Sequence, residues 1–299
     1  MLKRINKRAL NHKQVSPGSG ELSLFLRVFF GRKVVIIGFV IIVVLILAAI
    51  LAPVIAPYDP YEQDTNHTLA KPGTQHWLGT DTVGRDVLSR VIYGSRTSLI
   101  ISLTSLIIAA GVGLSLGLIA GYVGGWAYTI IMRSLDALMT IPMIMLALTI
   151  AALLGGGFKN IIIALGIGMM SLYGRMMCGQ VIHVKQDDYI LAARSMGAKS
   201  LRIMLRHIAP NCFPPLIVMM TMQLGMVILA EASLSFLGIG IVPPTASWGG
   251  MVNEGRRFLL TMPVLSFAPG FAIMLVVFSF NMVGDGLRDA LDPRLRGTI

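Results

Sequence analysis

The ionisable residues of this chain are few, and they fall into groups with distinct chemical possibilities. The segment Asp187–Asn211, DDYILAARSMGAKSLRIMLRHIAPN, sets the cations Arg194, Lys199, Arg202 and Arg206 among apolar residues and breaks at Gly197 and Pro210. Cations at helical spacing beside apolar side chains suit docking on a surface rather than bond-making. Glu231 stands alone in a long apolar run, where a carboxylate is costly and therefore either functional or bonded. It can contact a translocated ammonium group, or it can be held by a neighbouring helix through Asn281 or Ser233. Arg133 and Asp136, three residues apart, share one helical face and favour a local ion pair over a substrate contact. Asp285, Arg288, Asp289 and Asp292 have helical spacing suited to pairing among themselves. In the loop HWLGTDTVGRDVLSRVIYGSRTSL, Gly79, Asp81, Gly84, Arg85 and Asp86 combine turn-forming glycines with charges. They form either a clasp within the loop or a surface that receives an external partner.

Catalysis finds little support in these groups. No GxxxxGK[ST] pattern is present to cradle nucleotide phosphates, and neither HExxH nor GxSxG occurs. Cys178 and Cys212 form no CxxC pair, and His67 and His76 lack companions at ligand spacing, so no metal site is expected. The paired methionines, such as Met169–Met170, read as flexible packing side chains.

The elements that position these groups are membrane helices. Hydrophobic residues make up 55% of the 299 and charged residues only 13%, against about 25% charged in soluble domains. A span needs about 20 apolar residues. Six stretches qualify: Val34–Pro57, ended by Pro53 and Pro57; Ser98–Ala120, with small residues at Ala109, Ala110, Gly111, Gly113 and Gly117 for close contacts; about Tyr128–Leu154; about Asn160–Val181, interrupted by Arg175; about Pro214–Ile241; and about Phe258–Gly284. Seventeen Lys and Arg flank one side of these spans and seven the other, which puts the termini and Asp187–Asn211 in the cytoplasm. The net charge of +11 is thereby assigned to lipid headgroups, with no nucleic acid as partner. The chain divides into a basic cytoplasmic segment (1–33), a first transmembrane helix (34–57), an extracytoplasmic loop (58–97), a five-helix core (98–286) containing the cytoplasmic segment 187–211, and a cytoplasmic tail (287–299).

Within that segment, Asp187 and Asp188 suit the N-cap of a helix over Tyr189–Met196, Gly197 suits its C-terminus, Ser200 the cap of a second helix, and Pro210 its stop. The Ala192–Ala193 pair favours insertion into a protein groove over binding to lipid. With Gly197 and Pro210, it resembles the cytoplasmic "EAA" loop of ABC importer permeases. Leu191 stands where that family has Glu, His207 where it has Ile, and Ala209 where it has Leu. The segments His76–Leu99, Ser235–Arg256, Phe280–Gly297 and Ile55–Pro60 (IAPYDP) resemble the dipeptide, oligopeptide and nickel subfamily, the last its second or "C" permease subunit.

The resemblance implies an all-α, six-span type I permease fold in a bacterial inner membrane. It implies no catalysis and no cofactor in this chain, with ATP and Mg bound by two separate ATP-binding subunits. Further partners would be a homologous permease and an extracytoplasmic solute-binding protein. Tyr189, Ala192, Ala193, Arg194, Gly197, Arg206 and Pro210 would couple to the ATPases. Small peptides lead as substrates; nickel chelates, glutathione and opine-like compounds are alternatives.

Overall fold

The computed structural model describes residues 21–291, and no named strand occurs among them. The basic residues of 1–20 and Asp292 in the tail lie outside the described residues. A short helix absent from the sequence reading, α1 (Glu21–Phe29), precedes the first span, and its Phe29 clusters with Val35 of that span and Ala290 of the last. The spans follow as α2 (Lys33–Ile55), α3 (Val87–Val123), the pair α4 (Gly125–Met139) and α5 (Met143–Leu154), and α6 (Phe158–Val184). Next come α7 (Asp188–Ser195), the single turn α8 (Ser200–Arg202), a π-turn over Ile203–Ile208, and α9 (Ala209–Phe236). The short helix α10 (Trp248–Gly255) and the final span α11 (Val264–Leu291) complete the fold.

Glycine spacing fixes the central contact. Gly113, Gly117 and Gly121 recur every four residues along α3 and face α6. A Cβ at Gly113 would strike the Met170 carbonyl, and one at Gly117 the Gly174 carbonyl. One at Gly121 would lie 2.8 Å from the Val181 side chain. Lipid offers no hydrophobic gain for helix association, so close backbone approach carries the contact. Gly111, on the opposite side, faces open space.

Several boundaries depart from the sequence reading. Pro53 lies inside α2, in its last turns, rather than ending it. Helix α3 starts eleven residues earlier than expected, at Val87, because Asp86 caps it by accepting from the Ser89 N–H at 2.8 Å. The third span is two helices bent by 88°. Pro142 lacks an N–H and disfavours helical backbone at Ile141, which ends α4. Five helices are thus long and apolar enough to cross a membrane, and the bent pair makes the sixth. Pro210 does not stop a helix. It falls in the first turn of α9, and the wider π-turn before it, where the Ala209 N–H bonds the Met204 carbonyl, relieves the steric conflict of a mid-helix proline. The fifth span accordingly runs unbroken from Ser200 and ends at Phe236, short of Ile241, while the sixth begins at Val264 rather than Phe258.

Candidate functional site

Helix α7 packs through Ile190 against Leu118 of α3, Val181 of α6 and Leu216 of α9. Ile190, fully buried, shares this cluster with Ile203 and Cys212 as well, and Ala193 is 7% exposed. This end of the spans faces water, so burying Ile190 contributes roughly 1.5–3 kcal/mol. Asp187 has the backbone of an N-cap but makes no side-chain cap bond, and Lys199, not Ser200, is the cap residue of α8. The C-terminus closes as the glycine suggested. Gly197 sits at φ +79°, its N–H bonds the Arg194 carbonyl at 3.0 Å, and the Ala198 N–H bonds the Ala193 carbonyl at 3.1 Å. These are the two bonds of a Schellman cap.

The opposite face is open. Tyr189, Leu191, Ala192, Arg194, Met196, Leu201, Arg202, Leu205, Arg206 and Pro210 are all exposed, with Met196 at 81%. Apolar and cationic side chains therefore alternate on a rigid, anchored knob. Asn211 fastens it to the start of α9 by donating to the Tyr189 hydroxyl at 3.0 Å and to the His207 carbonyl at 2.6 Å. Partial burial, then the nearby Asp187 carboxylate, raises the Tyr189 hydroxyl above its ordinary range, so it stays protonated. At the α6–α7 junction, Lys185 donates to the Tyr122 carbonyl at 2.6 Å and thereby pins the end of α3.

The extracytoplasmic motif has the opposite character. Arg85 donates to Asp81 at 2.6 Å and to Glu254 of α10 at 3.3 Å. Arg90 lies 3.5 Å from Asp81 and donates to the carbonyls of Pro60 and Pro244. Asp81, Arg85, Asp86 and Arg90 are all at most 6% exposed. Gly79 and Gly84 have φ of +75° and +82°, and a Cβ at Gly84 would collide with the Asp64 backbone. His76 approaches Asp86 at 3.0 Å, and Thr80 donates to the His67 carbonyl. In the same loop, the His67 ring and the Asn66 N–H hold the exposed Asp64 carboxyl below its usual value. The motif is a closed clasp between the outer loop and α10. Beside it opens a cavity of about 200 Å³ of mixed lining, with Ile241, Val242 and Met251 beside Arg90, Asn253 and Glu254. Arg90 and Glu254 were not singled out by the sequence reading, although Arg90 lies in the loop motif it quoted. Nothing local marks Glu254 as the partner of residues some 170 positions earlier.

The remaining charges fall differently from expectation. Glu231 is fully buried and accepts from Ser98 of α3 at 3.0 Å and Ser235 at 2.9 Å. Its partners are Ser98 and Ser235, and neither Asn281 nor Ser233. Asp136 pairs with Arg175 of α6 at 2.7 Å rather than with Arg133. Asp289 pairs with Arg32 at 2.7 Å rather than within its own helix. For Asp136 and Asp289 a distant segment brings the partner, whereas Glu231 is shared between Ser98 of α3 and Ser235 of its own helix. Among the described residues, no group of His, Cys, Asp and Glu is arranged to hold a metal.

Comparison with known proteins adds to this geometry. Residues 113–297 match the family model "Binding-protein-dependent transport system inner membrane component", and residues 21–72 match "N-terminal TM domain of oligopeptide transport permease C". The chain is 42% identical over 264 residues to the dipeptide transport system permease protein DppC of Alkalihalophilus pseudofirmus, covering 88% of this chain and 87% of that one. It is also 42% identical over 243 residues to the glutathione transport system permease protein GsiD of Pectobacterium atrosepticum, with 81% of each covered. Among solved structures, an inward-facing form of the MetNI methionine ABC transporter matches with a TM-score of 0.57 at 17% identity, covering 69% of this chain and 97% of that one.

Proposed function

The chain belongs to the family of binding-protein-dependent transport system inner membrane components, and from that premise we propose that it carries dipeptides inward as one permease of an ATP-driven importer. The observation that carries the mechanism is the anchored, exposed face of α7 and the π-turn. It fits a groove of an ATP-binding subunit: Met196, Leu201 and Leu205 supply apolar contact, and Arg194, Arg202 and Arg206 meet its acidic rim. ATP and Mg are assigned to two such subunits, and this chain performs no catalysis. A homologous permease completes the pathway, and a solute-binding protein delivers the substrate outside.

In this reading, movement of the ATPases pushes on α7. The push passes through Ile190 into α6 and α9, and through Lys185 into the end of α3. Binding of ATP favours one arrangement of the spans and its hydrolysis the other. Helix α9 extends that lever without interruption to the outer end, where Glu231 ties it to α3.

The test replaces Gly197 with Trp. The left-handed backbone resists a side chain, and the bulk falls on the docking face. The complex is expected to assemble and hydrolyse ATP while dipeptide uptake falls to background; unchanged uptake would refute the coupling role. The 42% identity to a glutathione permease favours glutathione as the second reading. Titrating the cognate binding protein with both solutes separates them.

A further inference from the structure

Two features of the α4–α6 surface are incompatible with lipid. The first is the Asp136–Arg175 pair, 2.7 Å apart, whose side chains are 40% and 51% exposed. Depth makes this costly. Trp126, 75% exposed near the start of α4, is suited to the cytoplasmic interface, and Asp136 lies ten residues further along the same helix. At 1.5 Å per residue that is about 15 Å, half of a hydrocarbon core of about 30 Å. Arg175 stands ten residues before Lys185, which caps α6 at the same interface. Along α6, therefore, Arg175 and the Asp136 it holds lie about 15 Å from the end marked by Lys185, inside the apolar span.

The second feature is backbone. Thr140, Ile141 and Pro142, the break between α4 and α5, are exposed and begin four residues after Asp136. Non-helical backbone at membrane depth persists only where protein covers it or water reaches it. An exposed ion pair and an exposed helix break, side by side, mark one face.

We propose that this face lines the aqueous substrate path, and that the Asp136–Arg175 pair is a binding site for a zwitterionic, peptide-like substrate. Arg175 takes the carboxylate terminus and Asp136 the ammonium terminus. The inference deepens the peptide reading above and rests on it for the substrate class. Arg175 has a planar fork of donors that fits a carboxylate. The pair partners itself between substrates, so neither charge is left uncompensated at this depth. Ion pairs exchange as the substrate enters, and the exchange is reversible because each charge keeps one partner throughout.

The test uses the full complex in proteoliposomes, with Cys178 and Cys212 replaced by Ser. Asp136→Cys and, separately, Thr140→Cys are exposed to a charged, water-soluble methanethiosulfonate with and without ATP and vanadate. Modification of both cysteines in at least one state is expected, since thiolates form only where water reaches. No modification in either state would place the face against lipid or the second permease and overturn the path. For the substrate contact, Arg175→Gln is expected to lower dipeptide import at least about tenfold, the scale of one lost hydrogen bond to a charged group. Arg175→Lys should recover part of it. The reversed pair, Asp136→Arg with Arg175→Asp, should keep the complex assembled without restoring import. Restored import by the reversed pair would show a purely structural ion pair and overturn the site. If the wild-type complex imports no dipeptide, the peptide reading fails, and the labelling alone still decides the path.

Discussion

The outer clasp and the cytoplasmic knob use similar ingredients to opposite ends. Both combine glycines at positive φ with arginines and a short helix. In the clasp, Asp81, Arg85, Arg90 and Glu254 pair with one another, and the arginines are almost wholly buried. In the knob, Arg194, Arg202 and Arg206 are exposed beside equally exposed Met196, Leu201 and Leu205. Charge that is paired and buried builds the fold. Charge left outside, next to apolar surface on an anchored element, is available to another molecule.

The contrast can be broken from either side, and the clasp gives the larger effect. Replacing Arg90 with Ala leaves Asp81 without one of its cations and the Pro60 and Pro244 carbonyls without a donor. Losing one member of a buried charge network costs about 3–5 kcal/mol. Thermal unfolding of the detergent-solubilised protein should show a strongly lowered Tm; a wild-type Tm would mean that the clasp is only a surface feature.

The knob should behave in the reverse way. Changing Met196 and Leu205 together to Ser removes exposed apolar surface, so the Tm should move little, while co-purification of the ATP-binding subunits should fall by about tenfold or more if these side chains are anchors. Retained co-purification with a lowered Tm would invert the comparison. The smallest effect is expected from Tyr189→Phe, which removes the hydroxyl that accepts from Asn211. About 0.5–1.5 kcal/mol of local stability is at stake, and faster amide hydrogen exchange confined to α7 is the readout. Exchange spreading into α3 and α6 would instead make Tyr189 part of the core.

Much of this was legible along the chain because it rests on local chemistry. The Schellman cap at Gly197 follows from one residue's freedom to adopt positive φ. The seam on α3 follows from glycines four residues apart. The charge patterns were harder to read. Arg133 and Asp136 are helical neighbours, yet Arg175 wins Asp136 because α6 presents it at 2.7 Å. Glu231 was open to two readings, a substrate contact or a carboxylate held by a neighbouring helix. The structure gives it Ser98 from α3, which spacing could not name, and Ser235 from its own helix, which it could. Prolines misled in both directions. Pro142 bends a span that hydropathy reads as continuous, while Pro210 is absorbed by a π-turn.

By itself, then, the sequence determined the membrane class, the number of apolar segments and the glycine cap that ends α7. These depend on composition and on neighbours a few residues apart. Only the tertiary structure decided which charges meet, which face of each helix is covered and where a span breaks open. Those depend on which distant segment arrives within hydrogen-bond reach, and partners such as Arg85 and Glu254, or Asp136 and Arg175, are chosen by helix packing rather than by spacing along the chain.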